Sequence, residues 1–147
     1  MRFLAIADTH LGYESGKTKN ARQFIFESMF EVFNKIIKIA REEKVDYILH
    51  GGDLFNRSHP TKKVLGKTLE TIESLLKENI GIVITPGNHE KSFLPSSLLN
   101  FFPKMHFINK FTILNLEDCY LACFPFIKNV PTMIQQIFEN FGKNFKD

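Results

Sequence analysis

Val45-Asp-Tyr-Ile-Leu-His-Gly-Gly-Asp-Leu-Phe55 is the stretch on which the fold turns. Asp46 to His50 reads as a short, largely apolar strand, and Gly51-Gly52 ends it. A loop then runs through Pro60. From about Thr61 to Glu78 a helix is expected, because Val64, Leu65, Leu69, Ile72, Leu75 and Leu76 recur at helical spacing. Gly66 weakens its first turn by about 1 kcal/mol relative to alanine, so that boundary is the softest. The unit is strand, loop, helix, with Asp53 in the loop directly after the strand.

The same unit occurs on either side. Upstream, Phe3-Leu-Ala-Ile-Ala7 is a strand followed by a glycine-containing loop and a helix from about Arg22 to Glu43. In that helix Ile25, Met29, Val32, Ile36 and Ala40 are expected to face inward, widened by Phe33 and Ile37, while Glu27, Glu31, Lys35, Lys38 and Glu42 take much of the rest. Downstream, a strand over Gly81–Thr85 leads through Pro86 and Gly87 to a short helix near Ser96–Phe102, ended by Pro103. Three such units in succession predict a layered α/β fold. Between Met105 and Phe124 short apolar runs alternate with turn residues, as in adjacent antiparallel strands, and an amphipathic segment follows near Val130–Phe141. No repeat, low-complexity tract or linker interrupts the chain, so residues 1–147 are expected to form one domain.

Bulk composition narrows the function classes. With 44% apolar and 24% charged residues the chain is ordinary for a globular protein, and 16 Phe against no Trp make its core phenylalanine-based. A domain of this size buries roughly 68–70% of its unfolded surface, enough for a core without staples. The opening run Phe3–Ala7 is too short for a signal peptide and is ended at once by Asp8; no later stretch reaches the roughly 18 apolar residues a membrane helix needs. A cytoplasmic protein with no membrane partner is expected. Cys119 and Cys123 lie in one predicted strand, about 13 Å apart at 3.3 Å per residue, beyond disulfide reach, and read as packed thiols. The net charge is +3. Lys17, Lys19 and Arg22 form one basic cluster and Lys62, Lys63 and Lys67 another, each beside a strand-end loop. They are candidate contacts to an anionic partner, against the plainer reading of solvated surface lysines.

The chemistry-bearing residues follow the strands. Asp8 and His10 come after the first, Asp53 after the second, Asn88 and His89 after the third. Ligands of open α/β sheets bind beyond the carboxyl ends of strands, so these side chains are expected to converge. Taken singly, each is an ordinary turn, cap or structural residue. Together they offer carboxylate oxygen, imidazole nitrogen and amide oxygen, a donor set suited to Mn²⁺, Fe²⁺ or Zn²⁺ and not to a structural cysteine site. Two such ions about 3.5–4 Å apart can generate hydroxide and clamp a phosphoryl displacement. Asp53, the middle carboxylate, is the candidate bridge. Two carboxylates against four positive charges leave a site that favours a phosphate. His89 is the candidate catalytic group, hydrogen-bonding the phosphate or protonating the leaving oxygen.

Asp8-Thr-His10, Gly52-Asp53 and Gly87-Asn-His-Glu90 resemble the first three signatures of the calcineurin-like metallophosphoesterase superfamily. Ala7-Asp-Thr-His-Leu-Gly-Tyr13 and the Val45–Phe55 stretch more specifically resemble the SbcD-type nuclease subunit of the double-strand-break repair complex, from Met1 to about Asn100. The resemblance implies a β-sandwich flanked by helices (α/β/β/α). It implies that Asp8, His10 and Asp53 hold one metal, that Asp53 and Asn88 hold the other, and that His89 acts on the scissile phosphate. It further implies Mn²⁺ dependence, DNA as substrate, a homodimer formed through helices, and a coiled-coil SMC-like ATPase partner.

Three departures qualify the resemblance. Asn56 stands where many of these nucleases have His, and Glu90 where they usually have Asp; the latter is also the protein-phosphatase form. The superfamily completes its site with a later His and a His-x-His pair, whereas no histidine follows His106 here. His50, His59 and His106 are expected to be strand and loop residues, not substitute ligands. The chain is therefore expected to be the N-terminal portion of a metallophosphoesterase domain, apparently truncated, with one weak metal site, little hydrolysis and an unpaired strand edge near Met105–Phe124. The alternatives to a DNA nuclease are a phosphatase or small-substrate phosphodiesterase, and a non-catalytic interaction module.

Overall fold

The computed structural model describes residues 1–90, 102–126 and 134–135. The strands β1 (Phe3–Ile6), β2 (Tyr47–His50), β3 (Gly81–Ile84) and β4 (Met105–Phe107) form one sheet in that order. All three pairings are parallel, running Phe3↔Tyr47 to Ile6↔His50, Tyr47↔Gly81 to His50↔Ile84, and Ile82↔Met105 to Ile84↔Phe107. The register aligns the carboxyl ends of β1, β2 and β3, so the loops after them leave from one sheet edge. β3 is buried at every residue, as expected of a central strand in a parallel sheet covered on both faces.

The helices α1 (Lys19–Glu42) and α2 (Lys62–Lys77) make the first two crossovers. Each begins at a threonine cap: Thr18 Oγ1 accepts from Ala21 N–H at 3.1 Å and Thr61 Oγ1 from Val64 N–H at 3.3 Å. The α1 cap lies ahead of the predicted start because its first turn, Lys-Asn-Ala-Arg, carries no apolar signal. Lys44 (φ 50°) and Asn79 (φ 65°) close the helices in left-handed conformation.

Helix α1 corrects the expected stripe. The buried line is Phe26, Phe30, Phe33, Ile37 and Ala40, whereas Val32 is 53% exposed and Ile25, Met29 and Ile36 sit at the margin. Two apolar lines at helical spacing run side by side along α1, and the one carrying phenylalanines goes inward, where it removes more area from water. On α2, Val64, Ile72 and Leu75 are buried and Leu65, Leu69 and Leu76 pack against the core as expected. Thr68 is also fully buried, its hydroxyl donating to Val64 O at 2.9 Å. Lys63 Nζ lies 4.5 Å from the Phe26 ring centroid, and Lys67 Nζ lies 5.1 Å from that of Phe30, so the two helices are also joined through cations over rings.

The opposite face of the sheet carries β5 (Thr112–Leu116) and β6 (Cys119–Cys123), an antiparallel hairpin with Thr112 opposite Cys123 and Leu116 opposite Cys119. Tyr47, Val83, Ile108, Leu116 and Cys123 form the second core beneath it. Both cysteines are free, and burial raises the Cys123 thiol above its ordinary pKa. The described residues therefore stack as helices, sheet and second sheet, the layering of the expected α/β sandwich. The expectation of antiparallel strands throughout Met105–Phe124 holds only for β5 and β6. β4 instead extends the first sheet in parallel, with Ile82 N–H bonded to Lys104 O and Ile108 N–H to Ile84 O, both at 2.9 Å. A strand of three residues has too few positions for its side-chain pattern to reveal its direction. The helix expected near Ser96–Phe102, apart from Phe102, lies outside the described residues, as does the Val130–Phe141 segment apart from residues 134–135. Among the described residues no helix is long and apolar enough to cross a membrane.

Candidate metal centre

Beyond Ile6 and His50 the first two strands continue as loops that still hold each other. Asp8 N–H donates to Gly52 O (3.0 Å), His10 N–H to Asp53 O (2.9 Å), Leu11 N–H to Leu54 O (2.8 Å) and Asn56 N–H to Leu11 O (3.1 Å). The pairing is irregular because Asp8 (φ 56°), His10 (φ 45°) and Asp53 (φ 54°) are all left-handed. A non-glycine residue held this way costs on the order of 1–2 kcal/mol. Of the five such residues among the described ones, two close helices and the other three are the acidic and imidazole groups singled out from the sequence.

The third loop is tied to the second through Glu90, which is 1% exposed. Its carboxylate accepts from Asp53 N–H (3.0 Å), Phe55 N–H (2.7 Å) and Gly87 N–H (2.6 Å). Burial pushes the Glu90 pKa up, the neighbouring Asp53 charge adds to that, and the three N–H groups pull against it. Asp53 Oδ1 in turn accepts from His89 N–H at 2.9 Å. The loops touch closely: a Cβ on Gly87 would lie 2.5 Å from Asp53 N and 2.7 Å from its Cγ. Glycine at 87 is needed for space. Sequence reading treats Glu90 as a departure in a signature and misses this tie, because its partners are backbone N–H groups that carry no residue identity.

These ties bring His10, Asp53 and His89 together, with one donor atom of each within 4.8 Å of the others. His10 Nε2 stands 3.9 Å from Asp8 Oδ1 and 4.0 Å from Asp53 Oδ2. Both separations are too long for hydrogen bonds but within the limit of about 4.2 Å that two metal–donor bonds of about 2.1 Å can span. His10 Nδ1 is buried with no hydrogen-bond partner. The His10 and His89 rings meet edge to face with centroids 4.6 Å apart. His89 Nδ1 is 3.2 Å from Asn56 O, which can only accept, so Nδ1 carries the proton and Nε2 is left free. That contact uses the Asn56 backbone, so the departure from His at position 56 leaves it untouched. The spacing of His10 Nε2 from the two carboxylates fits a divalent cation.

The other predicted residues fall around this cluster. Asp8 is exposed at its rim, and Asn88 is exposed in the turn between Gly87 and His89. Lys17, Lys19, Arg22, Lys62 and Lys63 are exposed, and none belongs to the cluster. His59 is held by Ser58 Oγ at 3.1 Å and His106 lies in β4, so neither joins the site. His50 is 2% exposed; burial lowers its pKa from 6.5 to about 4, with the Asp53 charge opposing and His10 assisting.

The sequence profile of the calcineurin-like phosphoesterases matches residues 1–145. The chain belongs to this family. Calcineurin-like phosphoesterases use divalent metals, and the strand-end cluster is where this member has a matching set of donors. Among curated relatives, the DNA double-strand break repair protein Mre11 of Archaeoglobus fulgidus is 32% identical over 109 residues, 74% of this chain and 24% of that protein. Mre11 of Methanocaldococcus jannaschii is 38% identical over 90 residues, 61% of this chain and 24% of its own length. Mre11 of Saccharolobus solfataricus is 31% identical over 123 residues, 82% and 30% respectively. The chain thus spans between 24% and 30% of these relatives.

Proposed function

We propose that this calcineurin-like phosphoesterase chain supplies the N-terminal metal-binding loops of a DNA-repair nuclease that hydrolyses phosphodiesters with two divalent ions, Mn²⁺ first among them. The observation that carries this reading is the meeting of His10, Asp53 and His89 from three separate strand ends, with donor atoms within 4.8 Å. Asp8, His10 and Asp53 would hold one ion, and Asp53 with Asn88 the second. Bound there, the ions supply Lewis acidity and a nucleophilic hydroxide at neutral pH. The chain supplies the positioning: left-handed Asp8, His10 and Asp53 are set before any ligand arrives, and reorganisation at binding is correspondingly small. His89, oriented by Asn56 O through Nδ1, presents Nε2, which in the doubly protonated ring would give its proton to the leaving oxygen.

DNA as the substrate rests on the double-strand break repair relatives and on the exposed Lys17, Lys19, Arg22, Lys62 and Lys63 near the strand-end loops. The phosphatase alternative drew on Glu90 and on Arg57 just after the second motif; of these, the Glu90 carboxylate is spent on three backbone N–H groups. A homodimer and a coiled-coil ATPase partner complete the reading by resemblance, and a cytoplasmic location completes it from the sequence. Isothermal titration of Mn²⁺ into the chain tests it: binding heat that Asp53→Ala abolishes is expected, and its absence would leave a non-catalytic module. His89→Gln should keep Mn²⁺ affinity while removing phosphodiester turnover in the intact enzyme. Loss of the metal along with turnover would make His89 a ligand instead.

A further inference from the structure

His50 belongs to no metal-ligand set, yet its side chain reaches two of the site's loops. It sits at the carboxyl end of β2, 2% exposed. Its Nε2 is 2.9 Å from Thr9 Oγ1, and Thr9 lies between Asp8 and His10. The Thr9 hydroxyl also donates to Leu54 O at 3.1 Å. With its one proton committed there, Thr9 Oγ1 accepts from the imidazole, so Nε2 carries the hydrogen. Nδ1, left with its lone pair, accepts from Gly52 N–H at 3.4 Å, one residue ahead of Asp53. Donor and acceptor roles along this chain are fixed by Leu54 O at one end and Gly52 N–H at the other, and only the neutral Nε2–H ring satisfies both. A protonated ring would turn a second N–H against that of Gly52. The lowered pKa, driven by burial, agrees with the neutral form. On the backbone side, His50 O accepts from Thr85 N–H at 3.0 Å and from Thr85 Oγ1 at 3.2 Å, so the third loop begins from the same residue.

We infer that His50 is a positioning residue: through Thr9 and Gly52 it sets the spacing between the loop bearing Asp8 and His10 and the loop bearing Asp53. This rests on the metal-centre reading above and adds the group that preorganises it. Outer groups that orient metal ligands cost 10–100-fold in metal affinity when removed, by typical magnitudes. The alternative is that His50 merely fills space under the sheet edge.

Paired variants of the 147-residue chain separate the two. His50→Phe keeps an aromatic ring and removes both hydrogen bonds; His50→Gln returns an amide donor near the Nε2 position. Thr9→Val keeps the shape of threonine without its hydroxyl; Thr9→Ser returns it. Mn²⁺ affinity by titration should fall about tenfold or more in His50→Phe and in Thr9→Val. The Gln and Ser variants should regain most of it, and the double variant His50→Phe/Thr9→Val should lose little beyond either single one. Nitrogen-15 spectra of His50 should show the Nε2–H tautomer throughout neutral pH. Should His50→Phe fail to fold, the half-exposed Thr9 pair carries the test. Folded Thr9→Val that binds Mn²⁺ like the parent, or a His50 bearing its proton on Nδ1, overturns the inference alone. A parent that binds no Mn²⁺ overturns the metal-centre reading beneath it.

Discussion

Gly87→Ala adds one methyl group at the place where the second and third loops meet. The new Cβ would stand 2.5 Å from Asp53 N and 2.7 Å from Asp53 Cγ, closer still to Oδ1. Relaxing the first of these to an ordinary contact near 3.5 Å requires the loops to part by about 1 Å. Neither side yields cheaply, because Asp53 is 6% exposed and its N–H is already bonded to Glu90. The movement stretches the Asp53 N–H bond to Glu90, the Gly87 N–H bond to Glu90 and the His89 N–H bond to Asp53 together. Overpacking of this kind costs about 1–3 kcal/mol, which for a chain of this size lowers the melting temperature by roughly 3–10 °C. The larger effect falls on the site, since Asp53 and His89 sit on opposite sides of the new contact. A displacement near 1 Å at a reacting centre is worth on the order of 100-fold in rate, and Mn²⁺ affinity should drop at least about tenfold. Thermal melting monitored by circular dichroism and Mn²⁺ titration measure the two effects separately. Gly87→Ala with an unchanged melting temperature and unchanged Mn²⁺ affinity would mean that the two loops do not approach as closely as the structure places them.

The same substitution at Gly66 should act in the opposite direction: an added Cβ there meets nothing within 4 Å, so Gly66→Ala should stabilise α2 by about 1 kcal/mol in chemical denaturation, and destabilisation would contradict its open position. Acid should expose the burial of His50. Its pKa is about 4 folded against 6.5 unfolded, so between those values the unfolded chain binds the extra proton and stability falls as pH falls, by at most about 3 kcal/mol. Glu90, with its raised folded pKa, holds more protons when folded and slopes the other way above 4.5, so the His50 contribution is read as the difference between parent and His50→Gln. Equal slopes for the two proteins from pH 6.5 to 4 would contradict a buried, neutral His50.

The strand ends were legible because each apolar run stops at an abrupt change to Gly, Asp or His, and the parallel sheet follows from three strand-loop-helix units in a row. The boundaries of α1 and α2 moved by three residues or fewer, since a cap is a single polar residue among other polar residues. The direction of β4 and the inward face of α1 were not legible: three residues cannot show a direction, and two parallel apolar lines leave the inward one undetermined until the sheet is present. Asp8, His10, Asp53, Asn88 and His89 could be proposed from type and order alone, and the structure gathers donor atoms of three of them, His10, Asp53 and His89. What sequence could not show is the role of Glu90, His50 and Gly87, because their partners are backbone atoms or small groups, most of them on loops 34 to 41 positions away. A backbone N–H carries no residue identity for a pattern to detect.

This division has a physical cause in how the centre is built. Asp8, His10 and Asp53 are each in a conformation that costs free energy, and Asp53 and Glu90 repel each other across a buried gap. The imidazole and carboxylate atoms themselves offset little of this in the protein alone, since they stand 3.9–4.0 Å apart, beyond hydrogen-bond reach, and only Asp53 Oδ1 is held within the set, by His89 N–H. The offset comes from groups that never face a ligand: the three N–H bonds to Glu90, the imidazole between Thr9 and Gly52, and the methyl-free contact at Gly87. The donors can therefore stay spaced for a cation without collapsing onto one another, and the residues that keep them apart must come from different loops, because only a tie between loops can hold a gap between them.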